Sequence, residues 1–157
     1  FLIHIFDEFK IPPSKICFEI TEGMAITHLD NTQSFIRKFR SLGCRFALDD
    51  FGTGFSSYAY LKDLHIDYLK IDGIFIKNLC EDSVNTAMVK SIADVAGAIG
   101  IETIAEFVET AEIKEKLSQI GISYSQGYHV HKPVTLEVSA FEPLIKTKHY
   151  SNSGRNT

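Results

Sequence analysis

Apolar residues in this chain follow two alternating spacings, which predict two kinds of secondary structure. Short runs rich in β-branched and aromatic residues have the length and composition of β-strands. Between these runs, apolar residues recur every three to four positions, as on the buried face of an amphipathic helix. The predicted strands cover residues 15–22, 44–50, 65–72, 101–106 and 122–128. Strands that alternate with helices in this way predict an α/β fold of parallel strands.

Two of the predicted helices have clear apolar faces. The helix between the third and fourth predicted strands is expected to end at Gly100. The stripe that it is expected to bury consists of Val84, Met88, Ile92, Val95 and Ile99. The next helix is expected to begin after Thr110, whose hydroxyl can accept a hydrogen bond from the first helical turn. Its apolar residues Ile113, Leu117 and Ile120 are expected to face the sheet.

Ionisable or amide side chains stand at or near the carboxyl end of every predicted strand. They are Glu19 and Glu22, Asp49 and Asp50, Lys70 and Asp72, Glu106 and Glu109, and Gln126. In a (β/α) barrel these ends converge on one mouth, whereas an open doubly wound sheet spreads them along an edge. The pattern therefore favours a partial (β/α)8 TIM-like barrel. A complete barrel needs about 200 to 250 residues, so we expect the first strands to be missing from this chain.

Composition narrows the class of protein and its partners. With 45% hydrophobic residues and a net charge of −4, the chain can form a globular core and lacks a basic stripe for polymeric nucleic acid. Three scattered cysteines without a C-x-x-C pair fit a reducing, cytoplasmic compartment. The domain is expected to cover residues 1–145, and the polar residues 146–157 are expected to form a disordered tail.

Acidic side chains that converge on one mouth repel one another unless a cation neutralises them. Oxygen ligands without cysteine or clustered histidine favour hard ions such as Mg²⁺ or Mn²⁺. Adjacent Asp49 and Asp50 would let one carboxylate bridge two ions, as in two-metal phosphoryl hydrolases. Lys70 could orient a water molecule or simply balance the acids. Taken alone, the aspartate pair could also be a helix or turn cap, and Lys70 could form a salt bridge with Asp72.

Four blocks of the chain resemble those of one protein family. They read FEITE (18–22), ALDDFGTGFSSYAYLKDLHIDYLKID (47–72), IAEFVE (104–109) and QGYHVHKP (126–133). They resemble the EAL domain, the bacterial phosphodiesterase domain that hydrolyses cyclic di-GMP to linear pGpG. The resemblance implies a modified TIM barrel and two Mg²⁺ or Mn²⁺ ions. It also implies the metal ligands, which would be Glu19, Asp49, Asp50 and Glu106, with Asp49 as the bridge.

The same resemblance implies roles for the other polar residues. Lys70 matches a lysine near the attacking water, and Glu22 matches a glutamate that steadies the DDFGTG loop. Glu109 and Gln126 match polar support around the site. Similar proteins have their dimer contact near this loop, which implies a homodimer through residues 49–57. An upstream sensor or GGDEF-like domain is a further implied partner, and a membrane-anchored parent protein is compatible with this prediction.

Two departures from the family pattern affect the expected activity. The family's Glu-Ala-Leu segment and an asparagine ligand have no counterpart in the 157 residues, so we expect little or no hydrolysis by this chain alone. Phe107 stands where the family has glycine. On an extended strand its side chain would point away from Glu106, toward the helices, whereas a bend in the strand would bring it onto the metal.

These departures leave alternative functions open. A degenerate EAL-like domain could bind cyclic di-GMP without cleaving it, or could act through dimerisation alone. A barrel that uses Mg²⁺ and Lys70 to abstract a proton beside a carboxylate would fit the side chains but not the four sequence blocks.

Overall fold

Five parallel strands form one sheet whose spatial order follows the chain, in a computed structural model that describes residues 1–53 and 58–135. The strands are β1 (Cys17–Thr21), β2 (Arg45–Phe51), β3 (Tyr68–Ile71), β4 (Glu102–Ala105) and β5 (Tyr124–Ser125). Every neighbouring pair is parallel, and helices connect the successive strands. The predicted partial barrel of parallel strands is therefore confirmed. The boundary predicted at residue 145 and the predicted tail lie outside the described residues.

Helices precede and follow the strands, and they include short ones that the apolar spacing does not predict. They are α1 (Leu2–Glu8), α2 (Glu22–Thr27), α3 (Leu29–Arg40), α4 (Leu61–Leu64), α5 (Gly73–Ile76), α6 (Ser83–Ala98) and α7 (Ala111–Ile120), with short 3₁₀ turns at Pro13–Lys15 and Tyr58–Tyr60. The Thr110 hydroxyl accepts a hydrogen bond from the Ile113 N–H at 3.2 Å, so the predicted cap of α7 is confirmed. Helices α2, α4 and α5 have four to six residues, too few to produce a periodic signal.

The two faces of the sheet differ sharply in chemistry. Phe46 and Leu48 of β2, together with Leu69 and Ile71 of β3, are buried on the helix-covered face. The residues that alternate with them are polar or small, because successive side chains of a strand point to opposite faces. This second face carries Lys70 and the other charged groups toward the carboxyl ends of the strands. The apolar face therefore packs against the helices, and the polar face bears the candidate site residues.

The apolar face of α6 differs from the predicted one. Its buried residues are Val89, Ile92 and Ala96, whereas the predicted stripe members Val84, Met88 and Ile99 are 63%, 42% and 38% exposed. The prediction selected other apolar side chains of the helix and overlooked Val89 and Ala96, which are fully buried. Val84 and Met88 consequently form an apolar surface at the N-terminal half of α6.

Candidate active site

A β-bulge near the end of β2 presents two consecutive acids at the carboxyl ends of the strands. Leu48 pairs with Leu69 and Phe51 pairs with Ile71, so β2 uses one more residue than β3 over this interval. Asp50 has φ +57°, a left-handed conformation that aspartate tolerates better than most residues. In a regular strand the side chains of Asp49 and Asp50 would point to opposite faces. The bulge removes this alternation.

Asp49, Asp50 and Glu106 form the acidic cluster of the site. One carboxylate oxygen from each lies within 4.8 Å of the others. Asp49 and Asp50 come from the bulge, and Glu106 directly follows β4, which is separated from β2 by β3 in the sheet. Thus the convergence predicted for these three residues is observed, although their role as metal ligands stays a prediction.

Lys70 on β3 lies in the middle of the acids. Its Nζ is 2.8 Å from Asp49 Oδ1, 2.9 Å from Glu19 Oε2 and 3.0 Å from Glu106 Oε1. The lysine is 4% exposed and so is held by charges rather than by water. Glu19, on β1, reaches the cluster through this ammonium group and lies outside the three-carboxylate group itself. The proposed salt bridge between Lys70 and Asp72 is not formed, because Asp72 caps α5 by accepting a hydrogen bond from the Ile74 N–H at 2.7 Å.

The charges in the cluster shift one another's protonation equilibria. Burial by itself lowers the pKa of Lys70, but its contacts with Asp49, Glu19 and Glu106 outweigh burial and raise that pKa above its ordinary value. Burial, opposed by Lys70, raises the pKa of Glu106. Burial and the neighbouring Asp49 raise the pKa of Asp50. One ammonium among four carboxylates leaves an excess of negative charge, which a divalent cation would stabilise.

Glu22 is the first residue of α2 and links Gly52 of the DDFGTG motif to Tyr60 rather than entering the acidic cluster. It is 2% exposed. Its Oε2 accepts a hydrogen bond from the Gly52 N–H at 3.0 Å, and its Oε1 accepts one from the Tyr60 hydroxyl at 2.5 Å. This geometry fits a loop-steadying glutamate. Sequence reasoning missed Tyr60, because no local pattern distinguishes its hydroxyl from those of the neighbouring tyrosines.

A cavity of about 290 Å³ opens beside Glu106 and accommodates the two remaining predicted site residues. Its lining consists of Glu106, Phe107, Glu109, Gln126, Gly127 and Tyr128. Glu109 and Gln126 are exposed and face a common space next to the acids, although they come from different loops. The loops are joined by backbone hydrogen bonds, including one from the Val108 N–H to the Gln126 carbonyl at 3.0 Å.

Phe107 does not lie on an extended strand, so the bend is the one observed of the two alternatives that the sequence left open. Strand β4 ends at Ala105, and Phe107 has φ +54°, a left-handed conformation that is unusual for an aromatic residue. Its ring packs on Gly73 at the start of α5, where a Cβ atom would lie 2.3 Å from the ring. The Lys77 ammonium lies 4.6 Å from the ring centroid. The backbone therefore bends at this position, and the ring packs on α5.

Comparison with known proteins identifies the family of this chain. The family model of the EAL domain matches residues 1–133. The chain belongs to the EAL domain family. It is 52% identical over 128 residues to the cyclic di-GMP phosphodiesterase PdeB of Shewanella oneidensis, covering 82% of this chain and 15% of PdeB.

Two solved EAL structures share the fold. The PaMucR phosphodiesterase, in its c-di-GMP complex, has a TM-score of 0.81 and 31% identity over 91% of this chain and 56% of that one. BlrP1 from Klebsiella pneumoniae, in its complex with manganese and cyclic di-GMP, has a TM-score of 0.75 and 29% identity over 81% of this chain and 32% of that one. The chain thus spans about one sixth of the length of curated relatives such as PdeB and little over half of the PaMucR structure.

The acidic cluster of this EAL chain has the chemistry of a divalent-metal site. All its donors are oxygens, the ligands that Mg²⁺ and Mn²⁺ prefer. Asp49 Oδ1 is buried and, within the described residues, accepts no hydrogen bond of good geometry, although Lys70 Nζ lies 2.8 Å away. The residues present therefore fit a metal ion.

The described helices of this EAL chain were compared with the length and hydropathy of a membrane span. None of those within residues 1–53 and 58–135 is both long enough and apolar enough to cross a bilayer.

Proposed function

We propose that the protein to which this chain belongs is a metal-dependent phosphodiesterase that hydrolyses cyclic di-GMP to linear pGpG. The observation that supports this most directly is the meeting of Asp49, Asp50 and Glu106 around Lys70, at the strand ends of an EAL fold. The relatives named as cyclic di-GMP phosphodiesterases suggest the substrate.

In this proposal, Asp49, Asp50, Glu106 and Glu19 would hold two Mg²⁺ or Mn²⁺ ions, and Asp49 would be the ligand that both ions share. When bound, the ions supply positive charge for the phosphoryl oxygens and lower the pKa of a coordinated water. The bulge at Asp50 makes this sharing possible, since it brings two consecutive carboxylates to one edge.

Lys70 has the position and charge to orient the attacking water. Its ammonium group donates hydrogen bonds but cannot accept a proton, and its raised pKa keeps it charged at neutral pH. The water oxygen forms a bond to phosphorus while one phosphorus to 3′-oxygen bond breaks. The attacking water releases a proton to solvent, and the departing 3′-oxygen takes up a proton from solvent to become a hydroxyl, so that the two protons balance. The product is a linear dinucleotide with a 5′-phosphate.

Glu109 and Gln126 are proposed to bind the nucleotide rather than the metal. Both line the cavity next to Glu106, and their side chains can pair with amide and amine groups of guanine. The cavity of about 290 Å³ is large enough for one portion of a dinucleotide.

The test is turnover of cyclic di-GMP by the full-length gene product, with Mg²⁺, Mn²⁺ or EDTA. We expect pGpG with either metal and none with EDTA, and we expect Asp49→Asn to abolish it. Failure of the wild type to form pGpG at a concentration of cyclic di-GMP that saturates the protein would refute the proposal. The 157-residue chain alone is expected to form little or no pGpG.

A second candidate is a receptor that binds cyclic di-GMP without hydrolysing it. The strained Phe107 directly after Glu106 favours this alternative, because it replaces the glycine of the family motif beside a proposed ligand. Calorimetry combined with the turnover assay separates the two candidates. Binding without turnover supports the receptor, and the absence of binding supports a role in dimerisation alone.

We also propose a homodimer through the region of residues 49–57, of which residues 54–57 lie outside the described parts of the chain. Tyr58, Val84 and Met88 are 39%, 63% and 42% exposed, and Tyr58 and Met88 line a cavity together with Phe51 and Gly52 of this region. Val84→Asp with Met88→Asp is expected to yield monomers in sedimentation velocity, whereas Met24→Asp, at an exposed position on α2, is expected to have no effect. An unchanged dimer in the double variant would contradict this proposal.

The compartment and the remaining partners are proposals as well. The free Cys17, Cys44 and Cys80 fit a reducing cytoplasm. Since PdeB is much longer than the matched segment, an upstream sensor or GGDEF-like domain remains part of the proposal.

A further inference from the structure

Glu22 is a buried carboxylate whose charge is satisfied by hydrogen bonds alone. It is 2% exposed, and within residues 1–53 and 58–135 no basic group lies at ion-pair distance from it. One oxygen accepts from the Gly52 N–H and the other from the Tyr60 hydroxyl. A buried carboxylate of this kind is stable only while its donors remain in place.

The two donors, Gly52 of the DDFGTG motif and Tyr60, flank residues 53–57. Gly52 precedes residues 53–57, and Tyr60 follows them, so one carboxylate ties the two flanks of the loop together. Gly52 has φ +100°, and a Cβ atom there would lie 2.4 Å from Phe75 Cε2. Its backbone therefore has little freedom once its N–H is bound.

Gly52 is also close to the bulge that forms the acidic cluster. Asp50 lies two residues earlier, in the left-handed conformation that brings its carboxylate to Asp49 and Glu106. Its carbonyl accepts a hydrogen bond from the Thr53 hydroxyl at 3.0 Å. A change at Glu22 is thus transmitted to the Asp50 backbone through Gly52.

We infer that Tyr60 is a positioning residue, which holds Glu22 so that Glu22 can fix Gly52 and the Asp50 bulge. Its hydroxyl does not reach the acidic cluster but acts through Glu22 and the backbone of the loop. Burial and the hydrogen bond to Glu22 raise the pKa of Tyr60, which keeps the hydroxyl protonated as a donor. The expected loss of hydrolysis rests on the proposed function, whereas the expected loss of Mn²⁺ affinity does not.

The neighbouring tyrosine provides a matched control. The Tyr58 hydroxyl lies 3.5 Å from Ser91 Oγ and does not contact Glu22. Tyr60→Phe and Tyr58→Phe each remove one hydroxyl and keep the ring, so both variants should fold. The two substitutions differ in whether a buried carboxylate loses a donor.

The experiment measures Mn²⁺ affinity by electron paramagnetic resonance in the full-length gene product, without substrate. We expect Tyr60→Phe to weaken Mn²⁺ binding about tenfold, the size associated with losing a hydrogen bond to a buried charge, and Tyr58→Phe to leave it unchanged. Hydrogen exchange of the peptide that contains Gly52 should accelerate only in Tyr60→Phe. In a Glu22→Gln background, Tyr60→Phe should have a much smaller further effect, because the two residues act in series.

Wild-type Mn²⁺ affinity and wild-type Gly52 exchange in Tyr60→Phe would overturn the inference. So would equal losses in Tyr60→Phe and Tyr58→Phe. In turnover assays kcat should fall while KM changes little. If no variant, including wild type, hydrolyses cyclic di-GMP, a selective loss of Mn²⁺ affinity in Tyr60→Phe still supports the positioning role while the phosphodiesterase proposal fails.

Discussion

Strands β2 and β3 lie side by side and bring charged groups to the same edge of the sheet, but they do so with different backbone geometry. Strand β3 is regular, and simple alternation turns Lys70 to the polar face while Leu69 and Ile71 face the helices. Strand β2 ends in a bulge with Asp50 in a left-handed conformation, so that two consecutive acids reach the cluster.

This difference shows which arrangements of charged groups a regular strand and a bulge can each present. A regular strand presents a charged group at every second position and does so without strain. Two adjacent charged groups require the alternation to be broken, and breaking it costs backbone energy that neighbouring contacts must offset. The bulge in β2 is supported by the hydrogen bond from the Gly52 N–H to Glu22 and by the Phe75 ring, which leaves no room for a Cβ atom at Gly52.

The largest effect is expected from removing the charge on the regular strand. Lys70→Met leaves Glu19, Asp49 and Glu106 without their cation, and breaking a buried ion pair in this way should cost about 3 kcal/mol of unfolding free energy in EDTA. Urea denaturation measures this, and added Mg²⁺ should restore part of the loss. Lys90→Met, which removes an exposed pair with Asp94, is the control and should change stability by less than about 0.5 kcal/mol. Equal effects of the two variants would contradict the prediction.

A smaller loss of stability is expected from disturbing Gly52, which supports the bulge. Gly52→Ala adds a Cβ atom at φ +100° and 2.4 Å from Phe75 Cε2, which should cost about 2 kcal/mol and weaken Mn²⁺ binding. Gly97→Ala in α6 has open space around the added Cβ and should instead stabilise by about 0.5 to 1 kcal/mol. Thermal unfolding of both variants tests these two predictions. A destabilised Gly97→Ala or an unaffected Gly52→Ala would contradict the contacts described for these glycines.

A somewhat smaller loss of stability is expected at the bend after β4, where Phe107 packs on Gly73. Gly73→Ala places a Cβ atom 2.3 Å from the Phe107 ring, and because this ring is half-exposed and can rotate away, the cost should be about 1 to 2 kcal/mol. In a Phe107→Gly background the same substitution should cost almost nothing, because the ring is gone and φ +54° suits glycine. Additive losses in the double variant would indicate that Gly73 is required for another reason.

The smallest change in stability is expected from replacing Asp50 in the bulge, and it should be a gain rather than a loss. Asp50→Gly removes the left-handed strain and one of the repelling carboxylates, so the unfolding free energy in EDTA should rise by about 1 kcal/mol. Mn²⁺ affinity should fall in the same variant. A gain in stability together with a loss of metal binding would show that Asp50 is retained for function, whereas a loss of both would assign it a structural role.

Sequence patterns alone predicted the order of elements, the parallel sheet and the strand ends at which charged groups meet. These predictions succeed because alternation and helical spacing are local properties, and parallel connections force the carboxyl ends of the strands to one side. The resemblance of four sequence blocks to the EAL domain predicted the family, which the family model confirms. The roles of individual acids and of the cavity residues Glu109 and Gln126 stay predictions.

Only the tertiary structure decided which neighbours each side chain meets. The bulge at Asp50 depends on the register between β2 and β3, and the bend at Phe107 depends on the space above Gly73. The buried face of α6 includes Val89 and Ala96 rather than Val84 and Met88, and the link from Tyr60 to Glu22 joins residues 38 positions apart. Such features arise because packing and hydrogen bonding between distant segments override the local spacing on which a reading of the sequence depends.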